Sequence, residues 1–333
     1  MKIAIIGGIH SDGLKLLKKS NFEISEISNF EESNLINELK DIDGIILRTA
    51  TVSPDVLKCC NKIKIIARHG VGYDNLDLTY MSKNNIALGI TGTSNAVSVA
   101  EHVMTMMLTL SKNIFKSDSL TRSNGFESKA DLPDFFELYQ KKILILGFGR
   151  IGQALAKRCL GFEMEVMVYD PFLDNKIIYS NGCKPINQLD GFKTADYISI
   201  HLPLNKKTKN LISDSEFKIF KKNLILINTA RGGIVDEDAM YKALKSKRIF
   251  AAGIDVFEKE PPPKNHKLFS LDNILLTPHN SALTLECRKR MSVESCMNVF
   301  NYLKNIKELN KKNIVNLSNL NFRDLNKDFH PLQ

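Results

Sequence analysis

Short apolar, β-branched runs alternate with helix-period segments along most of the chain, the pattern of βαβ units and parallel sheets. In the first part, Lys2–Ile6, Gly44–Leu47, 64–67 and 86–88 read as strands, with helices over 13–19, 31–39 and 53–58. A long, largely apolar helix follows over 96–110. The stretch 111–140 is polar, carries Gly125 and Pro133, and reads as a connection with some helix. A second α/β series then begins, with strands Lys142–Leu146, Glu165–Tyr169, Tyr197–Ile200, 224–227, 250–254 and Ile274–Leu276. Helices over 149–160, 214–220 and 236–245 join several of these. Six strands with right-handed crossovers make a doubly wound sheet. Beyond Thr284 the chain reads as helix to about Asn305, then as a Lys- and Asn-rich polar tail with a frayed end over 319–333.

Length and composition narrow the class. A chain of 333 residues is long for one core and predicts two domains. No apolar run approaches the roughly 20 residues needed to span a bilayer. The apolar start is too short for a secretory signal, so the expectation is a cytoplasmic protein beginning at Met1. Cys59, Cys60, Cys159, Cys183, Cys287 and Cys296 form no C-x-x-C pair and have no metal-ligand spacing with histidine. They read as small packing residues in a reducing compartment, and no metal is expected. The net charge of +9 comes from scattered lysines without a basic block or interleaved aromatics. That argues against nucleic acid and leaves room for a small anionic substrate.

The strongest motif is Gly147-Phe148-Gly149-Arg150-Ile151-Gly152, at the end of an apolar strand and the start of a helix. In such a loop Gly147 permits the turn, Gly149 lets the backbone approach a pyrophosphate, and Gly152 lets the helix pack on the strand. Asp170 ends the next strand, roughly 20 residues on, where an acid meets ribose hydroxyls and repels a 2′-phosphate. The cofactor expected is therefore NAD. Ile6-Gly7-Gly8 also follows a strand but lacks the third glycine and the later acid.

Polar clusters end the last three strands: Arg231 between Ala230 and Gly232, Glu260 before a proline pair, and His279 after Pro278. In a parallel sheet all three reach the edge that holds the pyrophosphate loop. Oxidation of a 2-hydroxy acid needs a base for the hydroxyl proton, an anion to orient that base as it becomes cationic, and a planar donor for the substrate carboxylate. His279, Glu260 and Arg231 supply these in turn.

These residues resemble the D-isomer-specific 2-hydroxyacid dehydrogenases over nearly the whole chain. The resemblance runs through Ile46–Thr49, 67–77 (Ala-Arg-His-Gly-Val-Gly-Tyr-Asp-Asn-Leu-Asp), 95–102, 146–152, His201-Leu202-Pro203-Leu204 with Thr208, 228–237, 253–262 and 276–279. It implies an Arg231–Glu260–His279 catalytic set. It implies NAD contacts from Gly147, Gly149, Arg150, Ile151, Gly152, Asp170, His201, Pro203, Thr208, Thr229, Ala230 and Asp255. It implies a Rossmann doubly wound sheet over 98–282, inserted into a smaller flavodoxin-like α/β substrate domain built from 1–97 and 283–333. By pattern alone, the two series would have been consecutive blocks. An interdomain active site, hinges near 95–99 and 281–284, and a homodimer using the 96–110 helix region are also implied. Val71 and Gly72 would meet the substrate carboxylate, beside Arg231. Within the family the chain is most similar to members acting on 3-phosphoglycerate without a regulatory domain, because Arg48 and Arg68 lie where a phosphate would be held. Hydroxypyruvate, glyoxylate and lactate remain open, as does a non-catalytic NADH-sensing protein. Formate dehydrogenases resemble the same family but carry glutamine where this chain has Glu260. Two departures stand out: His279 is followed by Asn280-Ser281-Ala282 rather than a glycine pair, and 137–141 lacks the usual glycine.

Overall fold

The computed structural model describes residues 1–320. In chain order its main elements are β1 (Lys2–Ile6), α1 (Ser11–Lys19), β2 (Glu23–Ile27), α2 (Glu32–Glu38), β3 (Gly44–Leu47), α3 (Pro54–Lys58), β4 (Ile65–Arg68), α4 (Leu78–Lys83) and β5 (Ala87–Gly89). There follow α5 (Ala96–Ser111), α6 (Ile114–Arg122), β6 (Lys142–Leu146), α7 (Arg150–Gly161), β7 (Glu165–Tyr169), α8 (Asn175–Ser180), β8 (Lys184–Pro185), α9 (Gln188–Thr194) and β9 (Tyr197–Ile200). The series ends with α10 (Asp214–Ile219), β10 (Ile225–Asn228), α11 (Glu237–Lys245), β11 (Ala251–Ile254), β12 (Ile274–Leu276) and α12 (Leu285–Lys304). The chain divides into two units, Met1–Asn95 with the segment from Leu283 onward, and Ala96–Ala282.

The first unit is a five-stranded parallel sheet in the order β2-β1-β3-β4-β5, the flavodoxin-like arrangement. On one face, Leu35, Leu39, Val56, Leu57 and Met81 pack against Ile45 and Ile66. On the other, Cys296, Val299 and Tyr302 of α12 pack with Leu17 of α1 over Ile3, Ile5 and Ile65. Gly13 lets α1 and α12 approach closely, since a Cβ there would lie 2.8 Å from the Ser292 carbonyl oxygen. Strand β2 has no counterpart in the sequence reading. It is an edge strand with only Ile27 buried, so it lacks the apolar run that marks the central strands.

The tail beyond α12 is more ordered than its composition suggests. Ile90 N–H donates to the Asn313 carbonyl and Val315 N–H to the Leu88 carbonyl, both at 2.9 Å. Asn316 accepts from Leu88 N–H through Oδ1 and donates to the Ile86 carbonyl through Nδ2, each at 2.9 Å. Asparagine amides here stand in for backbone partners along the β5 edge. Of the expected frayed end, Asn319 closes a short 3₁₀ turn and Leu320 is buried; the remainder lies outside the described residues.

The second unit is a seven-stranded parallel sheet in the order β12-β11-β10-β9-β6-β7-β8. The strand beyond the expected six is β8, a two-residue edge piece whose proline suits an edge. Ala100, Val103 and Met107 of α5 pack with Leu155, Ala156 and Cys159 of α7 over Ile143, Ile145 and Val168. Phe217, Met240 and Leu244 from α10 and α11 cover the opposite face. The short helices α4, α8 and α9 go beyond the elements expected from the pattern; Asp77, Asp174 and Asn187 cap them through side-chain oxygens. The missing glycine before β6 is visible as backbone: Gln140 occupies that bend at φ +56°.

All six cysteines are free, and five are buried. Burial pushes the Cys159 and Cys296 thiols up to about 12, which marks packing groups and not nucleophiles. Among the described residues, no helix is long and apolar enough to cross a membrane.

His69 lies at the carboxyl end of β4 and is buried. Its Nε2 sits 2.9 Å from Ser292 Oγ, which also accepts from His10 N–H at 2.8 Å. Burial, reinforced by the Arg48 and Arg68 charges, pushes its pKa down to about 4. The unfolded chain binds a proton near pH 6.5 that the fold refuses, so this stabilisation is complete above that pH and fades as pH falls toward 4. The loss is about 3 kcal/mol at most. Replacing His69 with Gln should flatten the fall in urea-unfolding stability between pH 7 and 4.5. An unchanged slope removes this account.

Candidate active site

The parallel strands of the second unit bring the expected cofactor residues to one edge. The loop 147–152 follows β6, Asp170 follows β7, His201 and Pro203 follow β9, Thr229 and Ala230 follow β10, and Asp255 follows β11. Gly147 has φ +91°, and a Cβ there would meet the His201 carbonyl oxygen at 2.7 Å. Gly149 faces open space, and a Cβ on Gly152 would overlap the Gly147 carbonyl oxygen. Helix α7 starts at Arg150, and its cap, Gly149, supplies no side-chain acceptor to the first turn. Asp170 accepts from Phe148 N–H (2.9 Å) and Phe172 N–H (3.0 Å), one on each carboxylate oxygen. Each oxygen keeps a further lone pair. Thr229 Oγ1 is buried with no hydrogen-bond partner among the described residues. A glycine cradle, an open helix start, an acid on the adjacent strand and an orphaned hydroxyl all fit a dinucleotide.

Not every expected contact faces outward. His201 Nε2 lies 2.9 Å from Ser199 Oγ, and burial pushes its pKa down to about 3. Thr208 Oγ1 donates to the Pro203 carbonyl and accepts from Asn205 N–H, closing its own turn. Asp255 is fully buried. Its Oδ1 accepts from Thr277 Oγ1 (2.6 Å) and Asn280 N–H (2.9 Å), and its Oδ2 accepts from Ser281 N–H (3.0 Å). It therefore holds the chain on both sides of His279, which sits at φ +51°. Asn280 and Ser281, in place of the expected glycines, each give their backbone N–H to Asp255.

Glu260 and His279 meet directly. His279 Nδ1 is 2.7 Å from Glu260 Oε2, while Glu260 Oε1 accepts from Phe257 N–H at 3.0 Å. An ionised carboxylate only accepts, so His279 donates through Nδ1 and leaves the Nε2 lone pair for chemistry. The two side chains are 48% and 39% exposed, so the pair is open to a reactant. They line an apolar cavity of about 320 Å³ with Phe257, Phe269 and Leu276. Arg231 follows β10, its Nη1 bonded to the Ala230 carbonyl at 2.6 Å. A Cβ on Gly232 would overlap the Phe257 carbonyl, so only glycine lets the Arg231 loop lie on the turn that carries Glu260.

The remaining candidates belong to the first unit. Arg48 follows β3, and Arg68 ends β4 with Val71 and Gly72 just beyond. Arg68 Nε donates to the Gly72 carbonyl at 2.7 Å, and its Nη1 to those of Leu47 (3.0 Å) and Arg48. Those donors shape the 68–72 loop, a duty the sequence reading did not foresee for this arginine. The Arg48 guanidinium makes no hydrogen bond or ion pair among the described residues. Sequence reasoning missed two polar pairs. His102 Nε2 lies 3.1 Å from Thr277 Oγ1; that hydroxyl's proton goes to Asp255, so His102 is the donor. Glu237 pairs with His266 at 3.0 Å behind the Glu260 turn. Neither histidine stands in a spacing that a single sequence marks as special.

Residues 104–281 match the family model for the D-isomer specific 2-hydroxyacid dehydrogenase NAD binding domain. The chain is 34% identical to D-3-phosphoglycerate dehydrogenase of Methanocaldococcus jannaschii over 96% of its own length and 60% of that protein's. It is 35% identical to hydroxypyruvate reductase of Thermotoga maritima, over 86% of this chain and 93% of the relative. Its fold superposes with a TM-score of 0.82 on D-lactate dehydrogenase from Aquifex aeolicus, solved with NAD and lactic acid, at 28% identity over 94% of this chain and 98% of that one. The chain spans about 60% of the length of the phosphoglycerate dehydrogenases of M. jannaschii and Archaeoglobus fulgidus. With a glycine-cradled dinucleotide edge and a histidine–glutamate pair at that same edge, the chain belongs to the D-isomer-specific 2-hydroxyacid dehydrogenase family.

Proposed function

We propose that the protein interconverts a small D-2-hydroxy acid and its 2-keto acid with NAD. The observation that carries this is the 2.7 Å His279–Glu260 contact at the carboxyl edge of the dinucleotide-type sheet. Bound NAD supplies the acceptor for the hydride leaving C2 of the hydroxy acid. The 147–152 loop and the α7 amino end hold its pyrophosphate, with Arg150 and Ile151 in the first turn, and Asp170 takes the ribose hydroxyls. His279 Nε2 removes the hydroxyl proton in oxidation and returns one to the carbonyl oxygen in reduction. Glu260 orients the ring and balances its charge while protonated. Arg231 holds the substrate carboxylate, aided by backbone N–H groups of Val71 and Gly72.

The substrate follows from two arginines that differ. Arg48, whose guanidinium is unengaged among the described residues, supports a phosphorylated acid such as 3-phosphoglycerate. The commitment of Arg68 to backbone carbonyls favours a smaller acid, hydroxypyruvate or glyoxylate. We further propose a homodimer in a reducing, cytoplasmic setting. Most of α5 is buried, and within 96–126 the exposed large apolar side chains are Val97, Ile114, Phe115 and Phe126, three of them just beyond the helix.

Four outcomes are expected. NADH absorbance should fall with at least one acid from a panel of hydroxypyruvate, glyoxylate, pyruvate and 3-phosphohydroxypyruvate; binding of NADH without consumption on any of them rejects the dehydrogenase. Changing His279 to Ala should lower kcat by roughly 10²–10⁴-fold while NADH still binds, and full turnover would exclude the acid–base role. Asp170→Ser should weaken NADH binding on the order of tenfold and narrow its advantage over NADPH; unaltered affinities would separate Asp170 from the cofactor. Phe115→Asp should turn a dimer into a monomer by light scattering, and a wild type already monomeric removes the proposed assembly.

A further inference from the structure

Behind the Glu260–His279 pair lies a second carboxylate–imidazole pair that the proposed chemistry does not use. Glu237 is the first residue of α11, immediately after the capping Asp236. Its Oε1 accepts from Glu258 N–H at 2.7 Å, and its Oε2 lies 3.0 Å from His266 Nε2. The two side chains are only 11% and 10% exposed. The His266 ring stands edge-on to Phe257, with centroids 5.6 Å apart, and tilted against Phe269 at 5.5 Å. The pair is thus packed in place by the same aromatic residues that wall the cavity at Glu260.

The consequence lies in two adjacent amides. Phe257 N–H goes to Glu260, and Glu258 N–H goes to Glu237. The short turn that aims Glu260 is therefore held at consecutive residues, once by its own glutamate and once from α11. Gly232 lies against the same two residues, so the Arg231 loop shares this backing. We propose that Glu237, steadied by His266, is a positioning residue that fixes the 257–260 turn so that the Glu260 carboxylate engages His279 Nδ1. A mostly enclosed carboxylate that accepts a backbone N–H makes a charge-assisted hydrogen bond, stronger than a neutral one. Removing it frees the turn, and Glu260 then satisfies Phe257 N–H without staying aligned on the imidazole. In its relevance to turnover this inference rests on the dehydrogenase reading; the geometry itself does not.

The test uses the full chain with Glu237→Ala, Glu237→Gln and His266→Ala. It reads kcat and KM on the turned-over acid, NADH affinity by fluorescence, and the ring-nitrogen NMR signals of His279. Wild type should show one dominant His279 tautomer, protonated at Nδ1. In Glu237→Ala those signals should move toward a tautomer mixture, and kcat should fall about tenfold or more with NADH affinity kept within about twofold. Glu237→Gln keeps an oxygen acceptor for Glu258 N–H and should recover most of the rate. Unmoved His279 signals in Glu237→Ala, or a Gln variant as impaired as the Ala one, overturn the proposal. Should Glu237→Ala fail to fold, His266→Ala must move the same signals in the same direction, and unmoved signals there overturn it equally. Because the ring signals need no substrate, shifted signals in a protein inactive on every acid retain the positioning and reject only the dehydrogenase. Active enzyme with unmoved signals does the reverse.

Discussion

The Asp255 carboxylate carries the geometry of the candidate site. It is fully buried, and taking an ionised carboxylate out of water costs several kcal/mol unless hydrogen bonds compensate. Here a hydroxyl and two backbone N–H groups do so, all drawn from 277–281. Any rearrangement of that loop would leave the charge unsatisfied, so the loop is confined to one shape. His279 lies inside this span at φ +51°, a conformation that costs an L-residue about 1–2 kcal/mol and persists because its flanks are fixed. The buried acid thus holds a strained histidine at the edge of the second unit's sheet, where the parallel strands of that unit also end at Asp170, Thr229 and Arg231.

That arrangement sorts the site into carboxylates with different duties, and burial does the sorting. Asp255, fully enclosed, bonds only to protein donors and shapes backbone. Glu237, nearly enclosed, divides its oxygens between a backbone N–H and an imidazole. Glu260, about two-fifths exposed, holds one backbone N–H and presents the other oxygen to His279. Asp170, at the rim, leaves lone pairs for a ligand. The same functional group can thus strap backbone, hold an imidazole or keep lone pairs open, according to how many of them the protein already fills.

Much of this was legible in the chain. Central strands are buried on both faces, so runs such as Lys142–Leu146 and Gly44–Leu47 announce themselves, and parallel connectivity then aligns Arg231, Glu260 and His279. The rest escaped for physical reasons. Strand β2 and strand β8 are edges, where one side meets solvent or ends after two residues, and the apolar signal fades. The Asn-rich tail reads as solvated, yet its amides pair with the β5 edge because an asparagine side chain offers the same donor and acceptor as a peptide group. The roles of Arg68 and Asp255 escaped because a motif reports residue identity, not which partners occupy the side chain.

Arg68 shows how that distinction bears on specificity. A guanidinium has five N–H donors in a fixed fork, and recognition of a phosphate or carboxylate uses two of them together. Once Nε and Nη1 have been directed to the carbonyls of Gly72, Leu47 and Arg48, the choice of fork left to an anion narrows. The observed duty of the residue is to shape the 68–72 backbone, where Val71 and Gly72 lie. Arg48, whose guanidinium makes no hydrogen bond or ion pair among the described residues, keeps its whole fork of donors. What an arginine can offer an anion therefore depends less on its presence in the sequence than on how many of its donors the fold already fills.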